Sequence, residues 1–151
     1  MSLAVGDRIP EIALKDQDGI IRNSSDVSGK TLVLFFYPKD NTPGCTAEAC
    51  GFRDSHATFL GFGAEVWGVS GDDIASHQRF AGRYQISFPL LSDRDNALRR
   101  AFGVPRVLGL FPGRVTYVID GEGTIRHIFS NLLDGPAHVL EAQQIVKDLQ
   151  R

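Results

Sequence analysis

Cysteine is nearly missing from this 151-residue chain: Cys45 and Cys50, five positions apart, are the only two. Two thiols close at most one disulfide, so a framework of several bridges is excluded. Charge of one sign is not concentrated anywhere. Sixteen Lys and Arg against eighteen Asp and Glu give a formal −2, and no basic stripe is interleaved with aromatics, so no nucleic-acid partner is expected. No apolar run approaches the ~20 residues that cross a bilayer, so no membrane association is expected either. The start, Met1-Ser2-Leu3-Ala4-Val5-Gly6-Asp7-Arg8-Ile9-Pro10, has neither the basic nor the apolar segment of a secretory signal. Together with the scarcity of cysteine this points to a reducing compartment, where paired cysteines are more often catalytic or redox-sensing than structural; the expected location is cytoplasmic. The four histidines, His56, His77, His127 and His138, lack ligand spacing. Surface or internally satisfied positions are expected for them, and neither a metal nor a cofactor. Repeats, linkers and low-complexity tracts are absent too, so residues 1–151, 42% hydrophobic, are read as one domain.

What is present is an alternation of short strands and helices. Strands are expected over 9–14 and 20–22, separated by the turn Asp16-Gln17-Asp18-Gly19. Leu32-Val33-Leu34-Phe35-Phe36-Tyr37 is an unbroken apolar run, which suits a strand covered on both faces. A helix is expected over 45–60, with Pro43 in its first turn. A second buried strand follows over 65–70, then a helix over 74–84 capped by Asp72 or Asp73, an extended piece over 88–91 and a short helix over 97–102. Residues 114–119 and 125–129 flank Asp120-Gly121-Glu122-Gly123 as an antiparallel hairpin, and a closing helix spans 137–150. The pattern is α/β, with a mixed central sheet flanked by helices and an N-terminal hairpin.

Both cysteines fall where the first long strand hands over to a helix. The first turn of a helix has unpaired N–H groups and a partial positive charge, which favours an ionised, nucleophilic thiol at Cys45. Splitting a peroxide needs such a sulfur, donors that orient the O–O bond, and positive charge where the leaving oxygen develops. Thr42 offers a hydroxyl to the sulfur or to the substrate, and Pro38 and Pro43 stiffen the loop. No arginine lies between Pro38 and Cys45, so a guanidinium has to come from elsewhere in the fold. Attack would leave a sulfenic acid that condenses with a second thiol, for which Cys50 is the candidate within the chain. Five residues on an ideal helix separate Cα atoms by roughly 8.6 Å, whereas a disulfide needs less than about 7 Å. The first turns of that helix therefore have to unwind in each cycle.

The segment Tyr37-Pro38-Lys39-Asp40-Asn41-Thr42-Pro43-Gly44-Cys45-Thr46-Ala47-Glu48-Ala49-Cys50 resembles the active-site segment of peroxiredoxins. Its C-x4-C spacing is similar to that of the atypical two-cysteine PrxQ, or bacterioferritin-comigratory-protein, subfamily. The likeness continues through Gly68-Val69-Ser70-Gly71-Asp72-Asp73, Phe88-Pro89-Leu90-Leu91-Ser92-Asp93 and Arg114-Val115-Thr116-Tyr117-Val118-Ile119-Asp120. The resemblance implies a thioredoxin-like fold and reduction of hydrogen peroxide and organic hydroperoxides without metal or prosthetic group, recycled by a thioredoxin-type reductant. It makes Cys45 the peroxidatic and Cys50 the resolving cysteine, with Thr42 and Pro38 shaping the pocket. The family's catalytic arginine maps onto Arg114, and Glu48 matches a position that orients it. Asn41 departs from the usual run. The subfamily is often monomeric, although the apolar stretch 104–112, with Leu108, Leu110 and Phe111, leaves a dimer open; the stretch can be a mobile flap, a partner surface or simply core.

Blander readings exist for several of these residues. Cys50 can be a buried helix residue while an outside thiol resolves the sulfenic acid, Thr42 can be a helix cap, and Glu48 a partner of the helix dipole. Arg114 can be an ordinary strand-start arginine among twelve. As a whole the chain could also be a thioredoxin-like protein disulfide oxidoreductase, whose usual motif is C-x-x-C, or a binding module on the same fold.

Overall fold

The apolar run after Lys30 becomes the centre of the sheet. The computed structural model describes residues 2–107 and 111–150. In chain order the elements are β1 (Ala13–Lys15), β2 (Ile21–Asn23), β3 (Thr31–Phe36), α1 (Pro43–Asp54), α2 (His56–Gly61), β4 (Ala64–Ser70), α3 (Ile74–Tyr84), β5 (Leu90–Ser92), α4 (Ala97–Phe102), β6 (Arg106–Val107), β7 (Phe111–Pro112), β8 (Val115–Ile119), β9 (Ile125–Ser130) and α5 (Gly135–Leu149). Five strands form a mixed sheet in the order β5-β4-β3-β8-β9. Strands β3, β4 and β5 run parallel, while β8 is antiparallel to both β3 and β9. The pair β1 and β2 is a separate antiparallel hairpin.

Alternation along β3 supplies two cores at once. Leu32, Leu34 and Phe36 pack on one face with Trp67, Val69, Leu98, Phe102, Tyr117 and Ile12. Val33, Phe35 and Tyr37 pack on the other with Ala49, Phe52, Phe59, Phe80, Val139 and Val146. Each such side chain contributes about 1.5–3 kcal/mol on leaving water. A strand without a polar face is stable only between two covering layers.

Several boundaries depart from the sequence reading for local reasons. The expected single helix over 45–60 is two helices, broken at Ser55 (φ −98°, ψ 1°), where a serine after aspartate competes with helical hydrogen bonding. β5 starts at Leu90 because Pro89 has no N–H to give; its carbonyl instead accepts from Gly68. α5 starts earlier than expected because the Asp134 carboxylate accepts from Ala137 N–H. The helix over 74–84 matches its expected bounds, and Asp73 caps it through Ser76 N–H at 2.8 Å. Of the apolar stretch 104–112, Val104 is buried in the β1-side core and β6 pairs with β7; Leu108 and Leu110 lie outside the described residues. Among the described residues no helix is long and apolar enough to cross a membrane.

Two glycines let α5 pack tightly against α1. A Cβ on Gly51 would lie 2.9 Å from Val139 Cγ2, and one on Gly135 would lie 2.6 Å from Gly44 O and 2.9 Å from Glu48 Cβ. Gly135→Ala therefore overpacks the contact at the start of α1. The expected cost is about 1–3 kcal/mol, read from the urea midpoint; a change below about 0.5 kcal/mol, the range of neutral surface substitutions, would contradict this packing.

Candidate active site

The chain leaves β3 at Tyr37, turns through Pro38 and Asn41, and enters α1 at Thr42. Asn41 takes the left-handed conformation (φ +64°), which asparagine tolerates better than most residues. Thr42 is the extended residue before the helix (φ −81°, ψ 149°), and Pro43 occupies the first turn. Thr46 N–H makes the first helical bond, to Thr42 O at 2.8 Å. The N–H groups of Gly44 and Cys45 come before it, at the helix end where no intrahelical acceptor exists.

Cys45 is 1% exposed and faces the end of another strand. Arg114, just before β8, places Nη2 3.3 Å from Cys45 Sγ. Its other two nitrogens are engaged as well: Nη1 donates to Glu48 Oε1 at 2.5 Å and Nε to Leu132 O at 2.9 Å. Burial works against the charge on Arg114, but Glu48 and Cys45 outweigh it and hold the guanidinium above its ordinary value. Burial pushes the Glu48 carboxyl up to about 8, against the pull of Arg114. The partner's charge outweighs desolvation at Arg114 but offsets it only in part at Glu48, where burial wins.

Behind Glu48 stands His138, fully buried on α5. Its Nε2 faces Asn131 O at 2.7 Å and Nδ1 faces Thr116 Oγ1 at 2.7 Å and Glu48 Oε2 at 3.5 Å. The Asn131 carbonyl only accepts, so Nε2 carries the proton. Nδ1 is then free to accept the Thr116 hydroxyl. Burial, and Arg114 in addition, lower the basicity of this ring, in keeping with a neutral histidine. Glu48 Oε2 has no hydrogen-bond partner among the described residues.

The other expected site residues lie around this centre. The Thr42 hydroxyl donates to Lys39 O at 2.8 Å and makes no side-chain cap bond, so it ties the loop and keeps its lone pairs for an incoming donor. Pro38 is half-buried at the end of the strand. Cys50 is half-buried on the same unbroken helix as Cys45, and both are free thiols.

A polar network that no sequence motif announces anchors the loop. Asp40 accepts from Tyr37 OH at 2.6 Å and Ser76 Oγ at 2.9 Å, and contacts His77 Nδ1 at 2.7 Å. His77 Nε2 donates to Leu91 O at 2.9 Å, and Asp40 N–H donates to Asp72 Oδ2 at 2.8 Å. Burial, then Asp40, push the Tyr37 phenol well above its ordinary value, so it stays a donor. Ligand atoms of Asp40, Asp72 and His77 lie within 4.8 Å of one another, but hydrogen bonds within the network already engage them. Reading the histidines as surface or satisfied residues holds for His77 and His138, yet it misses their place beside the Cys45 loop and Glu48. The sequence reading misses the buried Arg99 of α4 as well, because nothing local sets it apart from Arg100 beside it.

The chain is similar to known proteins in sequence and in fold. The AhpC/TSA family matches residues 5–128. Chloroplastic peroxiredoxin Q of Triticum aestivum is 48% identical over 141 residues, covering 93% of this chain; the chain spans 65% of that protein's length. The structure of peroxidoxin BcpB from Mycobacterium tuberculosis has a TM-score of 0.89 at 34% identity, covering 97% of this chain and 98% of that one. A structure concerned with the alkyl peroxide reduction activity of Xanthomonas campestris bacterioferritin comigratory protein has a TM-score of 0.87 at 30% identity, covering 96% and 100%. The thioredoxin-like peroxiredoxin fold expected from the sequence is therefore the fold observed. The cytoplasmic location is corrected: the relatives from Triticum aestivum, Oryza sativa and Arabidopsis thaliana are chloroplastic. Targeting is carried by segments apart from the folded unit, so the first ten residues are no guide to it. On its sequence and on its fold alike, the chain belongs to the AhpC/TSA family, with peroxiredoxin Q proteins among its relatives.

Proposed function

We propose that this chain is a thiol-dependent peroxidase that reduces hydrogen peroxide and organic hydroperoxides, with Cys45 as the attacking sulfur and Cys50 as the resolving one. The observation that carries the reading is the buried Arg114 guanidinium 3.3 Å from Cys45 Sγ at the start of α1. The Cys45 thiolate attacks one peroxide oxygen and the O–O bond breaks. The other oxygen leaves as hydroxide or alkoxide and takes a proton to become water or alcohol. Arg114 and the free N–H groups of Gly44 and Cys45 stabilise the charge as it moves from sulfur to oxygen. The Thr42 hydroxyl accepts from the peroxide O–H, while Pro38 keeps water from the loop. Glu48 holds Arg114 in register.

The resulting Cys45 sulfenic acid condenses with the Cys50 thiol, forming the S–S bond and releasing water. A dithiol of the thioredoxin type then returns two electrons and two protons. Pairing requires α1 to open between Cys45 and Cys50, since roughly 8.6 Å separates such positions on an intact helix. C-x4-C in place of C-x-x-C speaks against a general disulfide exchanger. In this reading residues 1–151 act as one unit and one chain carries every reacting group, so a monomer suffices.

Rapid-mixing kinetics with peroxide and thioredoxin test the roles one by one. Cys45→Ser abolishes turnover; retained turnover contradicts the mechanism. Cys50→Ser reacts once and stalls as a sulfenic acid, whereas sustained cycling with thioredoxin alone removes Cys50 from the resolving role. Arg114→Met lowers the rate of the first step by about 10²–10³-fold, the usual loss for a donor aimed at developing charge. A loss below tenfold would assign Arg114 to packing.

A further inference from the structure

Arg99 is a second buried arginine behind the site, and the reaction as described makes no use of it. It lies on α4, 5% exposed, with its guanidinium carbon 5.6 Å from the Phe36 ring centre. An arginine at that depth is tolerated only if its donors are matched. Two backbone carbonyls take one donor from each terminal nitrogen: Nη1 donates to Gly113 O at 2.7 Å and Nη2 to Tyr37 O at 2.8 Å. Its own helix start is fixed in turn by Asp93, whose carboxylate accepts from Leu98 N–H at 2.8 Å and Arg99 N–H at 2.9 Å.

Those two carbonyls sit where the central strands separate. The β3 and β8 ladder ends at the pair Phe36 and Val115. One step further would pair Tyr37 with Arg114, but here the strands part: Tyr37 leads into the Pro38 loop and Cys45, and Gly113 leads into Arg114. The Arg99 fork spans the opening where ladder hydrogen bonds stop. One rigid, planar group thus ties the segment that carries the sulfur to the segment that carries the guanidinium. Gly113 is itself pinned, since a Cβ there would lie 2.3 Å from Pro105 O. Burial lowers the Arg99 guanidinium from its ordinary value, while Asp93, Cys45 and Tyr117 oppose that loss, so Cys45 lies within electrostatic reach of Arg99 as well as in contact with Arg114.

We propose that Arg99 is a positioning residue of this site, its fork locking the Tyr37 and Gly113 carbonyls so that Arg114 Nη2 meets Cys45 Sγ. The inference rests on the peroxidase reading above. Its test compares two reactions of the same sulfur. Alkylation by iodoacetamide needs only a thiolate, whereas attack on hydrogen peroxide also needs Arg114 in place. Both rates are measured in a Cys50→Ser background, where Cys45 is the only thiol, for Arg99, Arg99→Met and Arg99→Lys, with the urea midpoint of each.

Arg99→Met is expected to slow the peroxide reaction about 10²-fold, the scale of a misplacement near 1 Å, and to lower the ratio of peroxide to alkylation rate at least about tenfold. Arg99→Lys keeps the charge but not the planar fork and should fall between Arg99→Met and Arg99. A purely structural role lowers the urea midpoint and leaves the ratio unchanged, which overturns the proposal. So does a parallel fall of both rates, which would mean lost thiolate and not lost alignment. Should Arg99→Met fail to fold, Arg99→Lys decides: a lowered ratio supports the positioning role, and a ratio equal to that of Arg99 overturns it. A chain with Arg99 intact that meets peroxide no faster than free cysteine overturns the peroxidase reading itself, and this inference with it, an outcome distinct from an unchanged ratio in a fast enzyme.

Discussion

A guanidinium in contact with a buried sulfur is the constraint around which this fold is arranged. Taking Arg114 out of water alone would cost several kcal/mol. Glu48, Leu132 O and Cys45 Sγ take one donor from each of its three nitrogens. Two of the partners lie on α1 and one in the loop before α5, so the charge is tolerated only in the assembled fold. Under the proposed function chemistry and folding are coupled there, since the guanidinium assigned to the sulfur is itself a buried cation that needs these partners.

The surroundings hold that contact from several sides. Asp40, Tyr37, His77 and Asp72 fix the loop between β3 and α1 through hydrogen bonds that reach α3 and β5. Glycines at 51 and 135 let α5 lie against α1, which brings His138 up to Glu48. This rigidity stands in tension with the second half of the cycle. Cys45 and Cys50 share one intact helix, and a bond between them requires that helix to open. α1 lends itself to this, because it already ends at Ser55, a few residues beyond Cys50, and Cys50 is only half-buried. In the proposed cycle the site is ordered while the sulfur is reduced and has to open once it is oxidised.

Much of this arrangement is legible in the amino-acid sequence. Periodicity marks the run 32–37 as a strand with two buried faces, and helix chemistry places Pro43 and Cys45 in one first turn. Family resemblance, and not pattern, singles out Arg114 and Glu48, because nothing local distinguishes one of twelve arginines from the others. What stays hidden is long-range. Arg99 meets Tyr37 across 62 positions, and His77 meets Asp40 across 37. No local spacing encodes either contact. Helix ends slip for the opposite reason: the Ser55 break and the Asp134 cap depend on single polar side chains that periodicity does not weigh.

The central claim is that peroxide drives Cys45 into a bond with Cys50 inside one chain. Its most direct test is the intact mass and free-thiol count of the reduced protein after one equivalent of hydrogen peroxide, sampled from milliseconds to seconds. The account predicts rapid loss of both thiols together with two hydrogens, and no covalent dimer. Reaction no faster than that of free cysteine, or a monomer that gains oxygen while Cys50 stays free, would contradict it.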